Sequence, residues 1–360
     1  MKKTVVVGMS GGVDSAVSAL LLKQAGYDVV ALYMSNWRET EGGACRGEED
    51  YYDVKRICGE IGIPYYSADF SDEYMEGVFK FFLEEYKAGR TPNPDVLCNR
   101  EIKFSHFKKF ALEMGADFVA TGHYAKAEKR DGINYLKKAA DQNKDQTYFL
   151  NQLTSAQLDN VLFPVGDLIK NQVREIAEQN KISVARKKDS TGICFVGERK
   201  FREFLSRYIP MKEGDIVDKS GKVVGRHKGV FYYTIGQRRG LGIGGNSIGE
   251  SWYVLDKDVL NNRLIVSQGE DGSLFSKSLT TAGFNFISQP PASDEFDCEA
   301  RIRHRQPLQK ARAKVFYDGG EVSAVRLEFA TPQRAVAAGQ YAVIYQGEYC
   351  LGGGVICDKS

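Results

Sequence analysis

One stretch near the start of the chain decides the fold of its first half. It reads Thr4-Val5-Val6-Val7-Gly8-Met9-Ser10-Gly11-Gly12-Val13-Asp14-Ser15. The residues up to Val7 are β-branched, as in a buried strand, and the segment from Ala16 to Ala25 has a helical pattern. A strand, a Gly/Ser turn and a helix direct several backbone N–H groups and a helix dipole at one small volume. We therefore predict that residues 8–15 bind a phosphate.

The turn differs from two common phosphate loops, because no Lys follows its second glycine and its glycines lack the dinucleotide spacing. It resembles the Ser-Gly-Gly-x-Asp-Ser pyrophosphatase loop of enzymes that split ATP into AMP and pyrophosphate. The resemblance implies that ATP contacts the residues of this loop, Gly8, Met9, Ser10, Gly11, Gly12, Val13, Asp14 and Ser15. Asp14 is also a candidate for orienting a transient Mg²⁺ or for capping the helix. The alternative is an ordinary strand-to-helix turn that uses glycine for its geometry.

Composition restricts the class of protein. A chain of 360 residues is expected to form two or three domains, and 42% hydrophobic with 27% charged residues is typical of a soluble globular protein. We expect a cytoplasmic protein without a membrane partner, because the apolar runs are too short to span a bilayer and the start leads straight into a strand. The net charge of +2 means that a nucleic acid must bind local patches. Seven cysteines without a Cys-x-x-Cys pair argue against a disulfide framework or structural zinc.

Strand and helix patterns alternate through the first third of the chain. Further strands are predicted at residues 27–34, 65–68 and 117–121, and helices with one apolar face at residues 51–61, 73–88 and 101–114. This order predicts an α/β fold with a parallel sheet covered on both faces. Such sheets bind ligands beyond the carboxyl ends of their strands, so residues 8–15, Met34 and Gly122-His123 should converge on one nucleotide site. Helical segments are also predicted at residues 144–153 and 170–180.

Two cysteines lie in unusual surroundings. Prolines at 92 and 94 should stiffen the segment that carries Asn93, Asp95 and Cys98, although a rigid connector explains it equally well. Cys194 lies between glycines and follows three cations at residues 186–188, and nearby positive charge favours the nucleophilic thiolate. The alternative for Cys194 is a small buried apolar side chain.

The second half has the period-2 pattern of short strands. Runs between residues 214 and 267, among them 230–235, predict a small β-rich module, and runs after Gly283 predict a closed barrel or a sandwich. The basic loop at residues 236–242 is a candidate for phosphate contacts. A strand at 298–305 would present Arg301, Arg303 and Arg305 on one face. That stripe suits either a phosphate backbone or a solvated edge strand, and the sequence leaves the two open.

Several motifs occur together and in order across nearly the whole chain. They are the turn at residues 8–15, Thr91-Pro92-Asn93-Pro94-Asp95 with Cys98, Thr121-Gly122-His123-Tyr124, the segment 188–195 with Cys194, and Tyr233-Thr234-Ile235-Gly236-Gln237-Arg238. The set resembles the bacterial tRNA-specific 2-thiouridylases of the MnmA type. The resemblance implies a Rossmann-like adenine-nucleotide hydrolase-like domain at 1–205, a small central β domain at 206–280, and a C-terminal β-barrel at 281–360 that holds tRNA.

The resemblance also implies an activity and its residues. ATP would adenylate the C2 oxygen of the wobble uridine (position 34 of tRNA), and a sulfur relay protein would deliver sulfur as a persulfide. Cys98 would be the nucleophile, Cys194 the persulfide carrier and Asp95 the general acid or base, while Met34 and Gly122 would lie against the adenosine. The implied tRNA contacts are Asn93, Pro94, Asp95, His123, Lys144, Asp145, Gln146, Arg305, Gln306 and Gln340. DNA is not expected as a partner.

The chain departs from the family pattern at Ala16, Lys126 and His304, which puts details of the ATP and tRNA contacts in doubt. Two rival classes share parts of the pattern. Ligases with the same loop add an amine to an adenylated group, but they have no use for two thiols. A non-catalytic RNA-binding or sulfur-carrier protein would not need an intact loop with Asp14 and Ser15.

Overall fold

The computed structural model describes residues 2–38, 46–189, 201–244 and 250–360. The first unit is built on a parallel five-stranded sheet, whose strand order is β3-β2-β1-β4-β7. Its strands are β1 (Thr4–Met9), β2 (Asp28–Ser35), β3 (Tyr65–Asp69), β4 (Phe118–Thr121) and β7 (Val161–Leu162). Within the described residues the helices are α1 (Val13–Gln24), α2 (Arg46–Ile61), α3 (residues 71–87), α4 (residues 94–113), α5 (Ser155–Leu158), α6 (Lys170–Gln179) and α7 (Phe201–Ser206). The predicted parallel α/β fold is confirmed.

Helices cover both faces of this sheet, as the alternation of buried side chains along β1 requires. Val5 and Val7 pack into the core formed with α1, α2 and α6. Val6 faces the opposite side and packs into the core formed with α3 and α4. Two of the covering helices contain π-helical segments, Met75–Phe79 in α3 and Cys98–Phe107 in α4.

The last unit is a closed barrel of six antiparallel strands in the order β12-β15-β14-β13-β16-β17, closed by pairing of β12 with β17. Its strands are β12 (Phe275–Phe286), β13 (Glu295–Arg301), β14 (Gln309–Asp318), β15 (Glu321–Arg334), β16 (Tyr341–Gln346) and β17 (Tyr349–Lys359). The hairpin of β5 (Lys126–Arg130) and β6 (Ile133–Lys137) leaves the first unit and pairs with β17. A hairpin of the first unit and the barrel therefore share a continuous sheet.

Between them lies a small four-stranded sheet with the order β10-β11-β8-β9. Its strands are β8 (Gly214–Val217), β9 (Val223–His227), β10 (Trp252–Asp258) and β11 (Arg263–Gln268), and β8 and β11 are parallel. The predicted order of three units is confirmed, while the limits proposed for them stay predictions. In the described part of the chain, no helix is both long and apolar enough to cross a membrane.

Two local predictions are wrong, and the helical segment predicted at residues 144–153 is confirmed for four residues only. Residues 144–153 contain a short 3-10 helix, Thr147–Leu150, because the Asp145 side chain bonds the backbone of Ala139 and the Thr147 hydroxyl and holds a turn. Residues 230–235 begin with a 3-10 turn, Val230–Tyr232, instead of a strand. The strand predicted at 298–305 ends at Arg301, because the Gln306 side chain accepts the N–H of Ile302 and closes a turn.

Candidate active site

The turn at residues 8–15 joins β1 to α1 in a tight, preformed shape. Gly11 has a φ of +72°, and a Cβ there would lie 2.8 Å from the carbonyl oxygen of Asp50, so this position requires glycine. The Ser15 hydroxyl donates to the carbonyl of Gly12 at 3.1 Å and accepts the N–H of Ser10 at 3.3 Å. The helix N-terminus and the turn thus face a common space at the carboxyl end of the sheet.

The neighbouring strands end beside this turn, as the sequence predicts. Gly122 follows β4 directly, and a Cβ there would lie only 2.7 Å from the backbone nitrogen of Ser15. Met34 is half-buried near the end of β2, next to the end of β1. The three segments therefore meet at the carboxyl ends of the parallel strands.

The Asp14 carboxylate is held by two groups that sequence reasoning did not assign to it. Lys170 Nζ lies 2.8 Å and 2.9 Å from its two oxygens, and the Tyr124 hydroxyl donates to it at 2.8 Å. Lys170 is buried and also pairs with Asp189 at 2.7 Å. A single ammonium thus bridges Asp14 and Asp189. We call residues 8–15 the phosphate turn, after the role predicted for them. Lys170 lies 156 positions from Asp14 at the start of α6, so no local pattern could reveal it.

The Asp189 carboxylate forms salt bridges with three cations. Besides Lys170, Lys144 lies at 2.6 Å and Arg174 at 3.3 Å. Partial burial alone would raise the pKa of Asp189, but the hydrogen bonds from Lys144 and Lys170 outweigh it and lower this pKa to about 2. Asp189 is therefore ionised at neutral pH. Cys194 follows within residues 190–200, which lie outside the described residues, as does Cys45.

A second cation supports the phosphate turn directly. Lys187 Nζ donates to the carbonyl of Gly11 at 3.2 Å and pairs with Asp50 at 2.8 Å and Asp53 at 2.7 Å. Burial alone would lower the pKa of Lys187, and the two carboxylates reverse the sign and raise it. The sequence interpretation used this cation for Cys194 alone, whereas the structure shows it anchoring the turn to α2.

Asp95 and Cys98 lie on a helix instead of on a loop, which corrects the prediction for this segment. Pro94 occupies the first position of α4, where its missing N–H costs nothing. Residues three apart share one face of a helix, so Asp95 and Cys98 lie on the same side. Cys98 is buried and packs in the core on the α3 and α4 side, which the half-buried Met34 also contacts.

The barrel fixes the segment that precedes this helix. The Gln340 side chain donates to the carbonyl of Thr91 at 2.7 Å, and the N–H of Thr91 donates to the carbonyl of Ala338 at 2.9 Å. A Cβ on Gly339 would lie 2.8 Å from the nitrogen of Thr91. Asn93 is half-buried at the end of this segment. The barrel is thus in direct contact with the chain that leads into Asp95 and Cys98.

The other predicted tRNA residues differ in accessibility. His123 is buried between Phe104 and Phe163, and its Nδ1 lies 2.7 Å from the Thr121 hydroxyl. Burial, with the charge of Lys103 as a smaller cause, holds the pKa of His123 well below its usual value, so the ring is neutral at pH 7. Arg305 is exposed at a turn with a φ of +66°.

The predicted stripe of three cations on a strand is wrong. Arg301 is buried and lies 3.6 Å from Asp145. Arg303 donates to the carbonyls of Ile235 and Ala335 and joins the barrel to the central domain. The stripe fails because β13 ends at Arg301 and is paired on both sides, by β14 and β16. Only Arg305 of the three is exposed.

A parallel α/β sheet with a pyrophosphatase-type turn, joined to a small β domain and a barrel, defines a class of nucleotide-binding enzyme. Three family models match the chain in order, described as "tRNA methyl transferase HUP domain" over residues 3–198, "tRNA methyl transferase PRC-barrel domain" over 202–268 and "Aminomethyltransferase beta-barrel domain" over 276–356.

In the described residues no group of three His, Cys, Asp or Glu side chains could hold a metal ion.

Proteins of similar sequence specify the kind of enzyme further. The chain is 54% identical over 354 residues to tRNA-specific 2-thiouridylase MnmA 2 of Geobacillus kaustophilus, covering 98% of this chain and 94% of the relative. It is 53% identical to tRNA-specific 2-thiouridylase MnmA of Alkaliphilus oremlandii, covering 98% and 96%. The Streptococcus thermophilus enzyme of the same name is 52% identical, covering 99% and 95%. The chain belongs to the family of tRNA-specific 2-thiouridylases, and it is a sulfurtransferase that thiolates uridine in tRNA.

Proposed function

We propose that this enzyme uses ATP to adenylate the C2 oxygen of the wobble uridine and then replaces that oxygen with sulfur from a cysteine persulfide. One observation carries the proposal. The strand that leads into residues 8–15 packs against the helix that carries Asp95 and Cys98, because Gly8 lies against Phe107 of α4 and Met34 packs against the core that contains Cys98. This packing supports a site in which a phosphate-binding turn and a thiol serve activation followed by sulfur transfer.

The first step removes a chemical obstacle. A uridine C2 carbonyl is a poor electrophile, so its oxygen attacks the α-phosphorus of ATP, and pyrophosphate leaves into the turn at residues 8–15. Lys170 and Lys187 supply positive charge beside that turn. Asp14, the carboxylate of the turn, would exchange part of its contact with Lys170 to approach a nucleotide-borne Mg²⁺, which would keep most of its ligands as water and phosphate. Met34 and Gly122 would contact the adenosine.

The second step delivers sulfur. Cys194 carries the persulfide that a sulfur relay protein provides, and the Cys98 thiolate attacks the inner sulfur of that persulfide. The sulfur–sulfur bond breaks, and hydrosulfide leaves with the electron pair and adds to C2. AMP then departs with the original oxygen, and a disulfide joins Cys98 to Cys194 until a thiol reductant restores both thiols. Asp95 moves the proton as general acid or base.

The base must leave the anticodon stack to reach this site. Family resemblance supports contacts of the target base with Asn93, Pro94 and Asp95. The remaining tRNA contacts carried over from the family are His123, Lys144, Asp145, Gln146, Arg305, Gln306 and Gln340. Contact of Gln340 with the carbonyls of Thr91 and Pro92 supports this placement, because it ties the barrel to the base-contacting segment.

Separate replacement of the two thiols tests the proposal. With tRNA, ATP and a persulfide donor, Cys98→Ser and Cys194→Ser should each abolish 2-thiouridine in nucleoside analysis while pyrophosphate release persists. Cys357→Ser is the matched control, because this thiol is exposed on the barrel and should be dispensable. Full thiolation by the Cys194 variant would contradict the persulfide role.

A further inference from the structure

Three consecutive residues between β6 and the 3-10 helix contact three different parts of the molecule. Lys144 pairs with Asp189 at 2.6 Å. The Gln146 side chain accepts the backbone N–H of Tyr124 at 2.9 Å. Asp145, between them, faces the barrel and lies 3.6 Å from Arg301. We call residues 144–146 the junction.

The Asp145 carboxylate is enclosed. The residue is 1% exposed, and its carboxylate accepts the N–H of Ala139 at 2.8 Å and the hydroxyl of Thr147 at 2.5 Å. Arg301 is buried as well and lies over the ring of Tyr345, 5.0 Å from its centroid. The protein itself therefore supplies the partners of this carboxylate, and the contact with tRNA implied for Asp145 by the family resemblance stays a prediction.

Two chains of hydrogen bonds and ion pairs connect the junction to Asp14 in the phosphate turn. Through Gln146 it holds the backbone of Tyr124, whose hydroxyl donates to Asp14. Through Lys144 it holds Asp189, which shares Lys170 with Asp14. Both routes end on the same carboxylate of the phosphate turn.

The junction also contacts the part of the barrel that carries two of the expected tRNA contacts. Arg301 is the last residue of β13, and the turn that follows it carries Arg305 and Gln306. The Thr147 hydroxyl, which donates to Asp145, also lies 3.1 Å from the Tyr345 hydroxyl of β16. The ion pair of Asp145 and Arg301 therefore joins the barrel to the segment that reaches Asp14 through Lys144 and Gln146.

We propose that Asp145 is a positioning residue of the adenylation step. Paired with Arg301, it fixes the junction so that Lys144 and Gln146 hold Asp189 and Tyr124, and through them Asp14, in the geometry that pyrophosphate release requires. The inference rests on the proposed function, since it concerns the adenylation of tRNA. It assigns to the pair of Asp145 and Arg301 a role in the rate of adenylation.

The test is Asp145→Asn, which keeps an acceptor oxygen and removes the charge. We expect kcat for tRNA-dependent pyrophosphate release at saturating tRNA to fall at least about tenfold, a larger effect than any change in the dissociation constant for tRNA measured by filter binding. Asp159→Asn is the matched control, because this carboxylate pairs with Lys129 on the surface and should leave kcat unchanged. Weaker tRNA binding with an unchanged kcat at saturating tRNA would overturn the proposal.

A double-mutant cycle separates positioning from general stability. If Asp145 acts through the junction, its substitution should have much less effect on kcat in a Gln146→Met background than in wild type. Additive effects, or a lower melting temperature with an unchanged kcat, would reduce Asp145 to a structural role. Should Asp145→Asn not fold, Thr147→Val removes one donor to the same carboxylate and should lower kcat in the same direction. A wild-type enzyme without tRNA-dependent pyrophosphate release would overturn the proposed function itself.

Discussion

Lys170 supplies the cation that the phosphate turn lacks in its own sequence. It lies at the start of α6 with its ammonium on Asp14 and Asp189, and its side chain is 10% exposed. Removing Lys170 takes the ammonium away from the Asp14 carboxylate, whereas Asp189 keeps Lys144 and Arg174. The residue therefore contributes both to the shape of the site and to its charge.

We expect Lys170→Met to lower tRNA-dependent pyrophosphate release by about 10²- to 10³-fold, because one preorganised donor at a developing charge is removed. Asp14→Ala should impair the same step, and neither variant should weaken tRNA binding in a filter assay. Lys170→Arg keeps the charge and should retain more activity than the Met variant. Loss of tRNA binding with intact pyrophosphate release would contradict this placement.

His304 makes folding stability depend on pH. Burial, with the charge of Arg305 as a smaller cause, lowers the pKa of His304 to about 4, and its ring lies 4.4 Å from that of Phe149. The unfolded chain has a histidine pKa near 6.5, so it binds more protons than the folded state between these values. The contribution of the neutral His304 ring to the free energy of unfolding is therefore fully present above pH 6.5. It is lost progressively as the pH falls towards 4.

We expect His304→Phe to lose less stability than wild type between pH 7 and pH 5, by the order of 1 kcal/mol. Urea unfolding at the two pH values measures the difference. His123, whose pKa is also lowered by burial, remains in both proteins and contributes equally. Equal losses in the two proteins would show that His304 does not titrate in this way.

At the scale of elements, the end of β4 and the start of α1 are in close contact where we propose that the nucleotide binds. Gly122→Ala would place a methyl group 2.7 Å from the nitrogen of Ser15 and 2.9 Å from the carbonyl carbon of Asp14. Both neighbours are backbone atoms, so the strand or the helix must move. The pyrophosphatase-type turn then no longer has its preformed shape.

We expect Gly122→Ala to raise KM for ATP at least about tenfold and to lower the urea midpoint. Gly59→Ala is the control, because a Cβ at that position in α2 meets open space and should stabilise the helix by roughly 0.5–1 kcal/mol. An unchanged KM for ATP in the Gly122 variant would contradict the role given to this contact.

The elements that the sequence predicts well are those with a local cause. The β-branched residues of β1, the glycines of its turn and the apolar face of α2 each act within a few residues. Predictions failed where a distant or polar contact decides the structure. Asp145 holds a turn that shortens the expected helix, and the Gln306 side chain ends β13 before Arg303. The π-helical segment at Cys98 has no pattern in the sequence that predicts it.

At the scale of the whole molecule, the nucleotide domain and the barrel form one structural unit. Leu136 of β6 pairs with Cys350 of β17, and Tyr148 and Leu150 share a core with Tyr341 and Tyr345 of β16. Such pairings join residues roughly two hundred positions apart, so no window of sequence could indicate them. The order of the three units was predictable from patterning, whereas the junction between them was not.

In the proposed reaction, the C2 oxygen of the uridine is adenylated before sulfur replaces it. A tRNA anticodon stem-loop with oxygen-18 at C2 of the wobble uridine tests this order directly, with mass spectrometry of the AMP formed in a single turnover. We expect AMP that carries one oxygen-18 atom for each 2-thiouridine produced. Unlabelled AMP accompanied by complete thiolation would contradict it.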